Sequence, residues 1–221
     1  MKEMFKSYLS YVLSISECPI VVSSMGRSGS TMLTRSILES AHKYKIIKNI
    51  KRTILQKYKT RLPIKYKNKI VYKTHDYPPK YGGENVKYIY IYDDPIKVVS
   101  SMYKKKLDEG GDWLREHAVN MKTDPKVAGH FLTYDSFKLE KHFESWVNAE
   151  NINVALVRLD GLWENKDEIS AFLGFDISIP KKKERKSSID IIPKEKKSNL
   201  DSIYGDLRDK VKGLKFKIKN V

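Results

Sequence analysis

Residues 19–33, PIVVSSMGRSGSTML, narrow the possible folds more than any other part of this chain. Residues 19–24 form a short apolar run rich in β-branched side chains, which reads as a buried strand. Leu33, Ile37 and Ala41 then recur at i, i+4 and i+8, the stripe of an amphipathic helix. Between them lie two glycines, an arginine and three hydroxyl residues. A strand that turns through small residues straight into a helix makes an anion site. Gly26 and Gly29 let the backbone turn sharply and approach a ligand. The first helical turn offers unpaired N–H groups at the positive end of its dipole. Arg27 adds a planar, permanent charge, and Ser28, Ser30 and Thr31 add hydroxyl donors. The expected ligand is a phosphate-like group. This is not the nucleoside-triphosphate loop G-x-x-x-x-G-K-[ST]: Ser30 follows Gly29 where that loop needs lysine, and Ser24 stands where it needs glycine.

The same alternation continues downstream. Strands are expected at 69–73, 87–92 and 152–158, the second of them Lys-Tyr-Ile-Tyr-Ile-Tyr, with strong β-formers throughout. It runs into Asp93-Asp94-Pro95, an N-cap followed by proline at the first helical position. Helices are expected after Pro95, at 135–150, at 164–173 closed by Gly174, and at 200–211. Strands alternating with helices give an α/β fold with a mostly parallel sheet. Residues 108–134, with Gly110-Gly111, Pro125 and Gly129, show little periodicity and read as an irregular segment, of the kind that often covers a site. His117 and His130 lie in it. Trp113 and Tyr134 are candidates for the wall of a pocket. His142, on a helix, reads as a surface residue.

Bulk properties bound the remaining choices. A length of 221 residues suits one domain, or one domain with a tail. The lone Cys18 excludes an internal disulfide framework and fits a reducing compartment. No apolar run of 18 residues exists, so no membrane span is expected. Phe5, Leu9 and Val12 fall at helical spacing within residues 1–17, read as an amphipathic helix rather than a signal peptide. Together these favour a cytoplasmic protein. No His/Cys/Asp cluster has metal-ligand spacing, so no metal is expected. The formal charge is +16, half of it in residues 181–221, where 14 Lys/Arg face 6 Asp/Glu. Such charge suits an anionic ligand, although a charge run by itself is ordinarily a solvated face.

Four segments, in order, resemble those of the sulfotransferases that use PAPS (3′-phosphoadenosine 5′-phosphosulfate). Arg27-Ser28-Gly29-Ser30-Thr31 directly after a strand resembles the family's 5′-phosphosulfate loop. Val71-Tyr72-Lys73-Thr74-His75 resembles its Lys-Thr-His strand end, where the histidine is the catalytic base and the lysine contacts the sulfuryl group. The chemistry is reasonable in its own right. An acceptor hydroxyl must lose a proton as it attacks sulfur, and histidine suits that at neutral pH. A lysine two residues earlier points to the same side of the strand and offsets charge on the departing oxygen. Residues 90–101 resemble the 3′-phosphate segment. Aligned on Pro95, Ser101 matches the family's serine, but Asp93 replaces its arginine. Trp146, residues 152–162 and Phe172-Leu173-Gly174 resemble the later portion. Arg185 and Lys186 fall where the family has a loop over the 3′-phosphate.

The resemblance covers about residues 19–190 and implies a three-layer, P-loop-like sulfotransferase fold. It implies residues 1–180 as the sulfotransferase-like domain, with 181–221 a basic segment whose first part closes over the donor. The activity implied is transfer of a sulfuryl group from PAPS, leaving PAP, to a hydroxyl or amine of a small-molecule or carbohydrate acceptor. Catalytic roles fall to His75 and Lys73. Donor contacts fall to Gly26, Arg27, Ser28, Gly29, Ser30, Thr31, Ser101, Arg185 and Lys186. Asp93 would repel a 3′-phosphate unless it turns away or pairs with a cation, so an inactive relative is one alternative. Others are a small-molecule kinase and a non-catalytic basic nucleic-acid-binding protein, whose tyrosines would stack on bases. No dedicated nucleic-acid partner is expected.

Overall fold

The structure, a computed structural model, describes residues 18–41, 62, 65–68, 70–80, 82–83, 85–183 and 189–220. The expected helix within 1–17, His42 (expected at the end of a helix), Arg185 and Lys186 lie outside these residues. Five strands form one sheet: β1 (Ile20–Ser24), β2 (Val71–Thr74), β3 (Lys87–Tyr92), β4 (Asn153–Arg158) and β5 (Phe216–Lys219). Their order is β2-β1-β3-β4-β5. The first four are parallel, and β5 runs antiparallel to β4. Among the described residues five α-helices accompany them: α1 (Ser30–Ser40), α2 (Pro95–Asn120), α3 (Leu139–Val147), α4 (Lys166–Leu173) and α5 (Lys194–Gly213). The α/β architecture expected from the strand–helix alternation is present.

Both sheet faces are covered, and β3 shows why its sequence reads as it does. Side chains alternate across a strand. Tyr88, Tyr90 and Tyr92 therefore join one core with residues of α2, α3 and α5, while Ile89 and Ile91 join the other with residues of α1 and α4. Trp146 of α3 stacks on Tyr90 with centroids 5.3 Å apart and planes 7° off parallel. The three tyrosines are 0 % exposed, so none offers a face to a nucleic-acid base. No helix among the described residues is long and apolar enough to cross a membrane.

Two segments differ from expectation. Residues 108–120 are not irregular: α2 continues through them, broken only at Gly110 (φ 84, ψ −177). Leu114, Ala118 and Met121 are buried at i, i+4 and i+7, a stripe that the Gly110-Gly111 pair hides in the sequence. Residues 194–219 belong to the same layered unit as β1–β4 and α1–α4. Leu200, Tyr204, Leu207 and Val211 of α5 are buried, and β5 supplies the fifth strand. The basic residues of α5 and β5 decorate elements that close the sheet.

Candidate active site

In a parallel sheet ordered 2-1-3, successive crossovers leave β1 in opposite directions and open a crevice at the carboxyl ends of the strands. Here that crevice is a cleft of about 1120 Å³ lined by Arg27, Ser30, Lys73, His75, Ser101 and His117, among others. β1 delivers the turn that starts α1, β2 delivers Lys73 and His75, and α2 crosses above with Ser101 in its first half and His117 in its second.

The turn is shaped for close approach. Gly26, Arg27 and Gly29 have φ of 82, 47 and 85, so three left-handed residues fold the chain back within four positions. Gly29 is the N-cap of α1, and no side chain caps that helix. A Cβ on Gly29 would lie 2.7 Å from Leu159 Cδ1, so backbone angle and packing both demand glycine. The first-turn N–H groups of α1 are thus left for a ligand. Arg27 is exposed, and its Nε donates to Ser101 Oγ at 3.1 Å. Its guanidinium carbon lies 5.8 Å from the centre of the Trp113 ring.

His75 is wired to this turn. Its Nδ1 lies 3.0 Å from the backbone carbonyl of Ser24 and 3.0 Å from Ser24 Oγ. A carbonyl only accepts, so Nδ1 carries the proton and Nε2 holds the lone pair. Ser24 Oγ in turn donates to Ser30 Oγ at 3.0 Å. His75 and the 26–31 turn are therefore one hydrogen-bonded unit. Burial, then the Lys73 charge, then His117 lower the His75 pKa from 6.5 to about 3, which keeps the ring neutral. Burial, then Arg27, then Lys73 lower His117 to about 4.

A further layer fixes the backbone of His75. His142 is not a surface residue: it is fully buried beneath the site. Its Nε2 donates to the His75 carbonyl at 3.0 Å, leaving Nδ1 to accept from Tyr90 Oη at 3.0 Å. Ser23 Oγ and Trp146 Nε1 both donate to the Asp76 carbonyl at 3.1 Å. Burial lowers His142 to about 4, partly offset by its backbone bonds.

Of the residues expected at the site, Arg27, Gly29, Ser30, Thr31, Lys73, His75 and Ser101 line the cleft, and so does Trp113. Ser28 does not serve as a ligand hydroxyl: it is buried, and its Oγ donates to the Ile91 carbonyl at 2.8 Å, tying the turn to β3. Gly26 acts through its missing side chain, since a Cβ there would lie 2.9 Å from His117 Nε2. Asp93 turns away. It lines a separate cavity of about 420 Å³ with Lys97, Arg158, Asp160 and Arg208, where burial raises its pKa. Tyr134 stands apart, exposed and stacked on His130. The cleft also holds Arg35 and Lys104, which pattern reading passed over because each is one cation among 43. Ser24 and His142 gave no local signal, because their partners lie 51 and 67 residues away. Among the described residues, no group of three or more His, Cys, Asp or Glu is placed to hold a metal ion.

Neither a scan of the sequence against protein-family models nor a search of curated proteins finds a match.

Proposed function

We propose that this chain is a PAPS-dependent sulfotransferase with a P-loop-like sulfotransferase fold, moving a sulfuryl group from PAPS to an acceptor hydroxyl or amine. One observation carries the reading. The 26–31 turn, the Lys73/His75 strand end and Ser101 resemble three different segments of that family, and all meet at one cleft across as many as 74 positions of sequence.

The proposed roles are these. The first-turn amides of α1 and the Arg27 guanidinium grip the 5′-phosphosulfate. Lys73 balances charge on the oxygen that leaves with the nucleotide. His75 Nε2 takes the acceptor proton. Ser101 and Lys104, three residues apart on α2 and both on the cleft, hold the 3′-phosphate. Lys104 thereby replaces the arginine whose place Asp93 takes. Such chemistry asks the protein mainly for positioning and charge stabilisation.

Thermal-shift titration with adenosine 3′,5′-bisphosphate, set against adenosine 5′-phosphate and ATP, tests the reading. A ligand of the native state raises the melting temperature. A shift with the bisphosphate well above the other two is expected. Equal shifts, or none, refute the assignment.

A further inference from the structure

His117 is the one cleft histidine without an assigned task, and its surroundings are specific. Its ring lies 5.8 Å from that of His75, centroid to centroid, at an interplanar angle of 77°. Trp113 stacks on it at 4.9 Å and 13°, and Phe137 packs at 5.6 Å. The residue is 7 % exposed and lines the cleft. Its Nε2 is buried without a hydrogen-bond partner among the described residues, pressed against Gly26.

That orphaned nitrogen decides the tautomer. A buried N–H without an acceptor is rarer and costlier than an unpaired lone pair. Nε2 therefore keeps the lone pair, and the proton sits on Nδ1. His75 has the same tautomer for a different reason, its Nδ1–H being committed to the Ser24 carbonyl. The two rings thus bring opposite groups to one cleft: a lone pair on His75 Nε2 and an N–H on His117 Nδ1. Their pKa values, about 3 and about 4, leave both neutral at pH 7.

We infer that His117 is a second catalytic residue, whose Nδ1–H binds the acceptor atom while His75 Nε2 takes its proton, so that the pair admits a hydroxyl and turns away an amine. The inference rests on the sulfuryl-transfer reading above. A hydroxyl oxygen has one proton and two lone pairs. The proton passes to His75 Nε2, one lone pair accepts from His117, and the other attacks sulfur. As the new O–S bond forms, the S–O bond to the nucleotide phosphate breaks, and its electron pair stays on the phosphate oxygen beside Lys73. A neutral amine has a single lone pair, which cannot both accept from His117 and attack. An ammonium has none, and it would sit among the Arg27 and Lys73 charges.

The full chain with ¹⁵N-labelled histidine and saturating adenosine 3′,5′-bisphosphate tests the tautomers by long-range ¹H–¹⁵N correlation. His117 and His75 are both expected as Nδ1–H forms at pH 7. Turnover is then read with PAPS and phenol, with PAPS and aniline, and with PAPS in water alone, where water is the acceptor hydroxyl. Wild type should prefer phenol to aniline. H117F should lose about 10²- to 10³-fold on both hydroxyl acceptors, the usual worth of one positioned donor, while nucleotide affinity is unchanged. H117N, whose amide N–H occupies the Nδ1 place, should recover part of the loss and guards against misfolding of H117F. A His117 proton on Nε2, equal use of phenol and aniline, or wild-type turnover by H117F overturns the proposal. Failure of wild type to bind the bisphosphate overturns the sulfuryl-transfer reading instead.

Discussion

At the residue scale, hydrogen bonds prescribe which nitrogen of His75 is basic, and its surroundings keep the ring neutral. The Ser24 carbonyl sets the His75 tautomer, and Ser24 Oγ links it to Ser30 at the mouth of the anion turn. His75→Ala should lower turnover by about 10²- to 10⁴-fold, with bisphosphate affinity kept, since in the proposed reaction the ring meets the acceptor rather than the nucleotide. Equal rates for mutant and wild type in a labelled-transfer assay would remove His75 from its role. That His75, Lys73 and most of the turn share one cleft was legible in the sequence, because each sits in a short pattern at a strand end. Ser28 shows where such reading stops. Its hydroxyl belongs to the pattern, yet it is spent on the Ile91 carbonyl, a partner that only the β1–β3 pairing brings near.

At the element scale, α2 does two things at once. Its first half is N-capped by Asp94, whose Oδ1 accepts from the Ile96 and Lys97 amides, and it carries Ser101 and Lys104. Its second half carries Trp113 and His117. Gly110 joins the halves with φ 84 and ψ −177, a conformation open essentially to glycine alone. No atom crowds a Cβ there, so any cost of a side chain is one of backbone strain. Gly110→Ala is expected to destabilise the fold by about 1–3 kcal/mol in denaturant melts, and to weaken catalysis more than nucleotide binding, because Trp113 and His117 lose their angle to the turn. A neutral result would mean that the break is incidental. The cap and proline at 94–95 announce this helix plainly. Its continuation past the break is hidden because glycine pairs erase periodicity, although Leu114, Ala118 and Met121 still mark one face.

At the scale of the whole molecule, two buried histidines, His117 and His142, and the half-buried His75 couple folding to pH. His75, His117 and His142 have folded pKa values of about 3 to 4 against 6.5 for the free side chain. The unfolded chain therefore takes up protons that the folded chain refuses. The stability this confers is complete above pH 6.5 and is lost as pH falls from there toward 4. Asp93 and Asp135, raised by burial, act in the opposite sense at the lower end of that window. Melting temperature should be nearly level above pH 7 and fall between 6.5 and 4; a level profile through that range contradicts the burial of these rings. Closure of the sheet gives a second test. β5 covers the β4 edge, the Leu214 carbonyl accepts from Tyr92 Oη at 2.7 Å, and Lys219 donates to the Val147 and Ala149 carbonyls past α3. A chain ending at Gly213 should melt lower and aggregate, because an uncovered strand edge invites pairing; an unchanged melting point would show β5 to be dispensable. The sequence alone determined the strand–helix alternation, the anion turn and the strand-end histidine, because periodicity, capping and glycine placement act over a few residues. The fold in three dimensions settled that the Ser28 hydroxyl is spent on β3, that Asp93 faces another cavity, and that His117 and His142 close around His75. Those outcomes depend on burial and on hydrogen bonds between residues far apart in the chain, which no local pattern encodes.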